Sequence, residues 1–438
     1  MSKVALIRLA KALKKKVNKI TGAEITPYVS YARRINRVKT SSRICAMTFD
    51  DGPTYLPVSS GDKKWGLTLS IIETLEKHNA KGTFDIIGTT ENNYPDVEGK
   101  IGTPSWSGVK FDHYPTFGND KNAGAVNCPD LVKRIIKGGH QLTNHTYSHV
   151  LYGKKNVIYS KRTTLSSFEK ARDDFRILDR YISDNLGYKM HMSRPPHYVD
   201  KIANSLTSYD LYSLENYLYL GASFDGAGWL PCETYEAEVE AMYRNLEETL
   251  KKKPDALCGQ IIFQKDGCNM ALRTPVADGL EKQLEILDYY GYNVVTVDEL
   301  LDLSPFEDVD EDDSELELFK ELINTRAIAY TDNTLRPDEK MKVGELAMLI
   351  APIEESVSKR ISALLNGEKK IGELSASHPY SGAVDWCYRN GLINNPHKKH
   401  IESFLCESDL DLLTKKFEVN VIREGNYTRR GVLKALKK

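Results

Sequence analysis

Short apolar runs alternate with longer helical patterns between residues 41 and 300, and this alternation limits the possible folds more than any other feature of the chain. Repeated strand–helix units are typical of parallel sheets, because each crossover between parallel strands needs a connection about as long as a helix. The predicted strands are 43–49, 82–88, 140–144, 190–194, 218–224, 258–264 and 292–297, and the predicted helices are 65–78, 129–138, 165–187, 234–251 and 276–290. The pattern predicts a parallel β/α barrel.

Two adjacent carboxylates, Asp50 and Asp51, end the apolar run 44–49 and are followed at once by Gly52-Pro53. The carboxyl ends of parallel strands are where barrel enzymes place their chemistry. Neighbouring acids rarely share one role, because each shifts the pKa of the other. The pair therefore indicates one metal ligand and one free base, although two acids at this position could also cap a helix.

A pair of histidines, His145 and His149, follows the strand-like segment 140–144. Histidines four residues apart lie on one face of a helical turn and can hold one ion, although this spacing alone is a weak signal. Together with Asp51 they would form a set of two histidines and a carboxylate with positions left open for water. That is the pattern of a catalytic zinc site.

Three segments resemble the first three motifs of the NodB-homology polysaccharide deacetylases, a family of carbohydrate esterases. They are Thr48–Pro53, His145–His149 and Ser193–Pro196, and the resemblance extends over roughly residues 41–300. It implies a distorted (β/α) barrel and a divalent metal, most often zinc. It also implies hydrolysis of an acetyl group on a glycan, with N-acetyl favoured over O-acetyl.

The resemblance also assigns roles to individual residues. Asp50 would be the general base that deprotonates a metal-bound water, and Arg194 would steady it. A backbone N–H near Thr54 or Tyr55 would stabilise the oxyanion. The implied metal ligands are Asp51, His145 and His149. The predicted substrate groove comprises Thr54, Tyr55, Pro196, Tyr198, Asp225 and Trp229.

The chain departs from the family in the fourth and fifth motifs, which supply the residues that protonate the leaving group. Gly228 stands before Trp229 where the fourth motif usually has an aspartate, and Lys265 stands where the fifth motif has the histidine that acts as general acid. Lys265, His197 or water would then protonate the leaving group. Because the leaving group of an ester needs less protonation than that of an amide, the loss of the acid makes O-acetyl substrates more plausible than they would otherwise be. The alternative function is a catalytically impaired pseudoenzyme that binds a glycan or a partner.

Residues 90–128 form a long segment rich in Gly, Pro, Asn and aromatic residues, placed after the second predicted strand. Long irregular segments in compact domains are often functional. Trp106 and Tyr114 are therefore candidates for stacking on sugar rings. A purely structural surface flap is the alternative.

The acidic stretch 307–317 indicates a solvated linker and a domain boundary. Three parts are therefore predicted: a basic segment 1–40, a deacetylase domain 41–304 and a helical domain 305–438. Within the last part, Gly344–Leu349 matches Ser408–Leu413 at an offset of 64 residues. This region resembles degenerate S-layer homology repeats, which implies a cell-wall polymer as partner. A helical module that binds a protein partner is the alternative.

Charge and composition limit the partners and the cellular location that the chain can have. The net charge of −1 argues against a nucleic-acid partner. The seven cysteines show no CxxC spacing, which favours a reducing compartment. Residues 3–20 form a basic amphipathic pattern without a secretory signal, suited to an anionic membrane surface or to docking on the protein itself. The expected location is cytoplasmic or membrane-peripheral, with the cell envelope as the alternative.

Overall fold

The computed structural model describes residues 27–58, 66–90, 120–158, 163–269, 271–322, 329–411 and 427–436. The strands are β1 (Arg34–Ile35), β2 (Ile44–Asp50), β3 (Thr83–Ile86), β4 (Gln141–Asn144), β5 (Met192–Ser193), β6 (Lys201–Ala203), β7 (Leu206–Thr207), β8 (Leu218–Leu220), β9 (Phe224–Asp225), β10 (Ile261–Lys265), β11 (Asn293–Val295), β12 (Lys370–Ile371) and β13 (Leu374–Ser375).

The helices are α1 (Leu67–Lys77), α2 (Pro129–Lys137), α3 (Phe168–Leu186), α4 (Ser208–Glu215), α5 (Tyr235–Lys252), α6 (Val276–Tyr289), α7 (Val297–Leu303), α8 (Leu316–Leu322), α9 (Val343–Ile350), α10 (Ile353–Leu365), α11 (Ser381–Arg389), α12 (Lys398–Ile401) and α13 (Arg429–Leu436). Single 3₁₀ turns lie at Asp120–Asn122 and Pro196–Tyr198. Within the described ranges, no helix is long and apolar enough to cross a membrane.

The chain divides into two compact units. Among the described residues, the first comprises those of Asn36–Ala203 and Leu220–Leu303, and the second comprises those of 27–35, Asn204–Tyr219 and 304–436. The predicted division at 40 and 304 stays a prediction.

A parallel sheet forms the centre of the first unit. Its strands follow the spatial order β5-β4-β3-β2-β10-β9, and β11 also pairs with β2. Strand β2 is central because its apolar side chains are fully enclosed: Cys45, Ala46, Met47 and Phe49 have no exposed surface. The predicted distorted (β/α) barrel is confirmed.

The helices between these strands begin and end where the sequence supplies caps. The Ser167 side chain accepts a hydrogen bond from the Lys170 N–H at the start of α3, which ends at Gly187 in the left-handed conformation. Thr234 caps α5 in the same way, through the N–H of Ala237. The five helices predicted in this region are present to within a few residues. The predicted strand 218–224 is interrupted and becomes β8 and β9.

The second unit is mostly helical, as predicted, and packs around its own apolar residues. One cluster includes Phe306, Phe319 and Leu335. The matched hexapeptides of the predicted repeat both include helical backbone, α9 in one case and residues 407–411 in the other. The rest of the second copy lies outside the described residues. The basic segment 3–20 lies outside them as well.

Candidate active site

The strand register places the predicted site residues along one edge of the sheet. Asp50 is paired with Lys265 on one side and with Asp85 on the other. Because these strands are parallel, their carboxyl ends share this edge. The residues that follow β2, β4 and β5 are Asp51, His145 and Arg194.

Three potential metal ligands meet at this edge. The Nε2 atoms of His145 and His149 each lie 3.2 Å from the same oxygen, Asp51 Oδ1. All three side chains are buried. Two imidazoles and one carboxylate match the donor set of a catalytic zinc site, so the residues present fit a divalent metal.

The histidine pair does not lie on a helical turn, so that part of the sequence interpretation is wrong. Residues 145–150 form a loop, in which Thr146 has φ 75° and His149 has φ 54°. The loop is held by its own polar groups. The His149 N–H donates to Thr146 Oγ1, and the Ser148 N–H donates to Asp174. Left-handed backbone turns the His149 ring back toward His145, where the ring centroids are 5.0 Å apart.

Asp85 is a buried carboxylate that the sequence interpretation missed. Its Oδ2 lies 2.7 Å from His145 Nδ1, and the carbonyl oxygen of Arg194 lies 2.8 Å from the same nitrogen. Thr143 donates to Asp85 Oδ1 at 2.6 Å. The signal was available, because a carboxylate in the middle of the strand-like run Thr83–Ile86 has no solvated face.

The two histidines are in different electrostatic environments. Burial lowers the pKa of His145, but the Asp85 and Asp50 carboxylates outweigh burial and raise it above the ordinary value. Burial and the neighbouring His145 together hold the pKa of His149 well below its ordinary range. His149 is therefore a neutral ligand at neutral pH, whereas a metal must compete with a proton for His145.

Asp50 is held beside the ligand cluster by Arg194. The guanidinium Nη1 donates to Asp50 Oδ1, and Nη2 donates to Thr48 Oγ1 and to the carbonyl of Gly221. The other carboxylate oxygen, Asp50 Oδ2, lies 3.9 Å from His145 Nε2. Burial raises the pKa of Asp50 against the lowering effect of Arg194. A carboxylate oriented in this way, with a raised pKa, suits a general base.

Lys265 contacts the ligand cluster directly. Its Nζ donates to Asp51 Oδ2, the oxygen that does not face the two histidines. Burial lowers the pKa of Lys265 against the raising effect of Asp50. His197 is on the other side of the cluster, with its ring centroid 5.7 Å from that of His149 and a left-handed φ of 54°. Both candidate acids therefore lie near the ligands.

The position of the missing acid in the fourth motif is sterically closed. A Cβ atom built on Gly228 would lie 2.5 Å from Val276 Cγ2 and 2.8 Å from Gln264 Oε1. Gln264 and Gln283 fill this region with a hydrogen bond between their side chains at 2.5 Å. An aspartate at 228 would therefore require Val276, or the backbone, to move.

The predicted oxyanion donors are already engaged. The Thr54 N–H donates to Thr68 Oγ1 at 2.7 Å, and the Tyr55 N–H donates to the Asn122 carbonyl at 2.8 Å. In this arrangement neither N–H is available to a substrate. This is a correction to the sequence-based mechanism, which placed the oxyanion donor there.

The remaining residues of the predicted groove differ in exposure and in their contacts. Trp229 is 38% exposed, and its indole Nε1 donates to the Asp225 carboxylate. Pro196 is buried, whereas Tyr198 packs under the Arg194 guanidinium at 5.3 Å. Trp106 and Tyr114 lie outside the described residues.

Comparison with known proteins agrees with this geometry. Residues 37–212 match the family model of polysaccharide deacetylase. Peptidoglycan-N-acetylglucosamine deacetylase PgdA of Listeria monocytogenes is 23% identical over 268 residues, which are 61% of this chain and 40% of that protein. A peptidoglycan-N-acetylglucosamine deacetylase of Bacillus cereus is 25% identical over 288 residues, 64% of this chain and 95% of that protein. The chain thus spans about two fifths of the length of the Listeria relatives.

Two solved structures show lower similarity. A peptidoglycan N-acetylglucosamine deacetylase in complex with 4-naphthalen-1-yl-N-oxidanyl-benzamide is 21% identical, with a TM-score of 0.41, over 62% of this chain and 92% of that chain. A CE4 family pseudoenzyme from Bacillus anthracis is 14% identical, with a TM-score of 0.39, over 61% of this chain and 68% of that chain. The match to the family model covers the segment that contains Asp50, Asp51, His145, His149 and Arg194.

Proposed function

We propose that this chain is a metal-dependent hydrolase that removes acetyl groups from a glycan, with N-acetyl groups preferred over O-acetyl groups. One observation carries the proposal: three ligand atoms converge beside a buried carboxylate that an arginine holds in place. The matched relatives are named as peptidoglycan-N-acetylglucosamine deacetylases, which supports an N-acetylated glycan as the substrate class.

Asp51, His145 and His149 would hold the ion, and Asp50 would act on the water. When bound, a divalent ion supplies Lewis-acid chemistry, lowering the pKa of water and polarising a carbonyl. Asp50 Oδ2 is the oxygen placed to take the proton, because Oδ1 is occupied by Arg194. Arg194 orients the carboxylate and keeps it from turning away from the site.

The leaving group must receive a proton, and two side chains are placed to give one. Lys265 carries protons beyond the one that it donates to Asp51, and burial lowers its pKa toward the range of a useful acid. His197 approaches from the side of His149. Water remains the third donor.

We further propose zinc as the ion, because two imidazoles and one carboxylate form a donor set that zinc accepts. For the second unit, we propose binding of a wall polymer or a protein partner. Weak repetition of helical segments in this region supports that proposal, as does its resemblance to S-layer homology repeats.

The second candidate function is a binding protein that has lost turnover. Two observations favour this second function. Gly228 leaves no space for the aspartate of the fourth motif, and Lys265, which replaces the histidine of the fifth motif, is hydrogen-bonded to Asp51. Both changes affect the residues that would protonate the leaving group. An acetate-release assay of the zinc-loaded full chain on N- and O-acetylated glycans separates the two functions. Acetate release that is lost in Asp50→Asn supports the hydrolase, whereas silence on every glycan combined with glycan binding supports the binding protein.

A further inference from the structure

Asp85 is a fully buried carboxylate whose charge is only partly satisfied. Thr143 donates to Oδ1 at 2.6 Å. Oδ2 has no aligned hydrogen-bond donor among the described residues, although it lies 2.7 Å from His145 Nδ1. A buried carboxylate is costly unless it is paired, so the pairing of Oδ2 with a metal-ligand histidine calls for a functional explanation.

We infer that Asp85 is a positioning residue of the metal centre. Its carboxylate and the Arg194 carbonyl together hold the His145 ring so that the Nε2 lone pair faces Asp51 and His149. The inference rests on the proposed metal site, although its test requires no turnover.

The tautomer of His145 is set by two oxygen atoms that both lie close to its Nδ1 atom. Asp85 Oδ2 and the Arg194 carbonyl oxygen lie 2.7 Å and 2.8 Å from Nδ1. A lone pair on Nδ1 would be repelled by both oxygens, so in the neutral ring the proton stays on Nδ1. The Nε2 lone pair is then left for an ion, and the register of β2, β3 and β4 fixes the ring direction. Carboxylates behind ligand histidines have this orienting effect in metal sites generally.

Asp85 also balances the charge that Lys265 introduces. The buried carboxylates at this edge are Asp50, Asp51 and Asp85, and the cations that contact them are Arg194 and Lys265. With Asp85 present, acids outnumber these cations by one. Without it, a divalent ion would enter a cluster with no excess negative charge. The extra acid thus offsets the lysine that contacts Asp51.

The test is zinc affinity of the full chain, measured by competition with a chromogenic chelator. Asp85→Asn should weaken zinc binding roughly 10- to 100-fold, the usual effect of losing such a partner. The metal-free variant should keep an unfolding temperature close to that of wild type, because the amide oxygen can still accept the hydrogen bond from Thr143. A role in folding alone would lower the unfolding temperature and leave zinc affinity unchanged.

The matched control is Asp266→Asn, which makes the same acid-to-amide change at another buried aspartate. Asp266 is hydrogen-bonded to Thr68 rather than to a ligand histidine, so zinc affinity should not change. Unchanged zinc affinity in Asp85→Asn, or an equal loss in both variants, would overturn the inference. Nitrogen-15 spectra of the wild-type histidine rings give a second readout. A proton on His145 Nδ1 agrees with the inference, and a neutral ring protonated on Nε2 contradicts it.

These results are separable from the proposed function. If wild type binds zinc and Asp85→Asn does not, the inference stands even when no acetate is released. If wild type releases acetate and Asp85→Asn binds zinc equally well, the inference fails and the hydrolase remains. A wild type that binds no zinc contradicts the inference.

Discussion

The two sides of the candidate site differ in where their polar atoms point. On the ligand side, His145, His149 and Asp51 converge on one point, and Arg194 leaves one oxygen of Asp50 open toward it. On the leaving-group side, Gln264 and Gln283 bond to each other and to the Gly226 carbonyl.

The difference teaches that the two sides are built by different means. The ligand side is fixed by strand register and by buried charge pairs, which lose much of their stability if one member is removed. The leaving-group side is fixed by close packing, in which an added Cβ at position 228 has no space. A simple Gly228→Asp substitution is therefore a poor way to restore the family's acid pair.

The largest effect is expected from removing two ligands. The double substitution of His145 and His149 by alanine should abolish stoichiometric zinc binding, and with it any acetate release, because a single carboxylate cannot hold the ion. Elemental analysis after dialysis measures this, with about one equivalent expected in wild type. His191→Ala serves as the matched control, since His191 pairs with Asp298 and not with the cluster. Zinc retained by the double variant would refute the ligand assignment.

The next largest effect is expected at the base. Asp50→Asn should lower turnover roughly 10²- to 10⁴-fold while zinc remains bound. Because Asp50 must be ionised to accept a proton and burial raises its pKa, wild-type activity should fall as pH drops through that raised pKa. The pH profile of kcat/KM measures this. An acid limb that persists unchanged in Asp50→Asn would assign the titration to another group.

A smaller effect is expected at the candidate acid Lys265. Lys265→Met should reduce turnover on an N-acetyl substrate by roughly 10²-fold, and by less on an O-acetyl substrate, because an amine leaves poorly without a proton. Zinc binding should tighten, because a cation in contact with Asp51 has been removed. His197→Ala tests the other donor in the same assay. Two variants that both match wild type on an amide would leave water as the donor.

The smallest effect on catalysis is expected at Asp266, which bonds inward to Thr68. Burial raises the pKa of Asp266 to about 7, so the folded state favours the protonated form. Stability is then lost as pH rises from the ordinary pKa of 3.8 through about 7, and the loss is complete above that range. Asp266→Asn should stabilise the fold at pH 8 by up to about 4 kcal/mol, because the amide carries no charge to be desolvated. Chemical denaturation at pH 4 and pH 8 measures the gain, which should vanish at the lower pH.

Much of the fold could be predicted from the sequence because its strands are short apolar runs with clear stops. The run ending at Asp50 and the capped helix after Ser167 are local signals. Asp51, His145 and His149 are brought together because three strands are parallel, which the strand–helix alternation already implied.

What the sequence could not predict depends on contacts between distant residues. A carboxylate inside the run Thr83–Ile86 is visible in the sequence, but its place beside His145 is set by the register of β3 against β2 and β4, which one strand alone does not show. The expected helical turn is replaced by left-handed backbone at His149. The N–H of His149 donates to Thr146 Oγ1 instead of to a backbone carbonyl, as it would in a helix. The engagement of the Thr54 N–H required knowing where Thr68 lies.

The most direct test of the central claim is acetate release by zinc-loaded wild type compared with Asp50→Asn. The substrates are a matched panel of N- and O-acetylated glycans, and Asp184→Asn, at an exposed carboxylate, is the control. We expect acetate from wild type and the control, a loss of roughly 10²-fold or more in Asp50→Asn, and equal zinc content in all three proteins. Acetate release at the wild-type rate by Asp50→Asn, or none from wild type on any glycan of the panel, would contradict the claim.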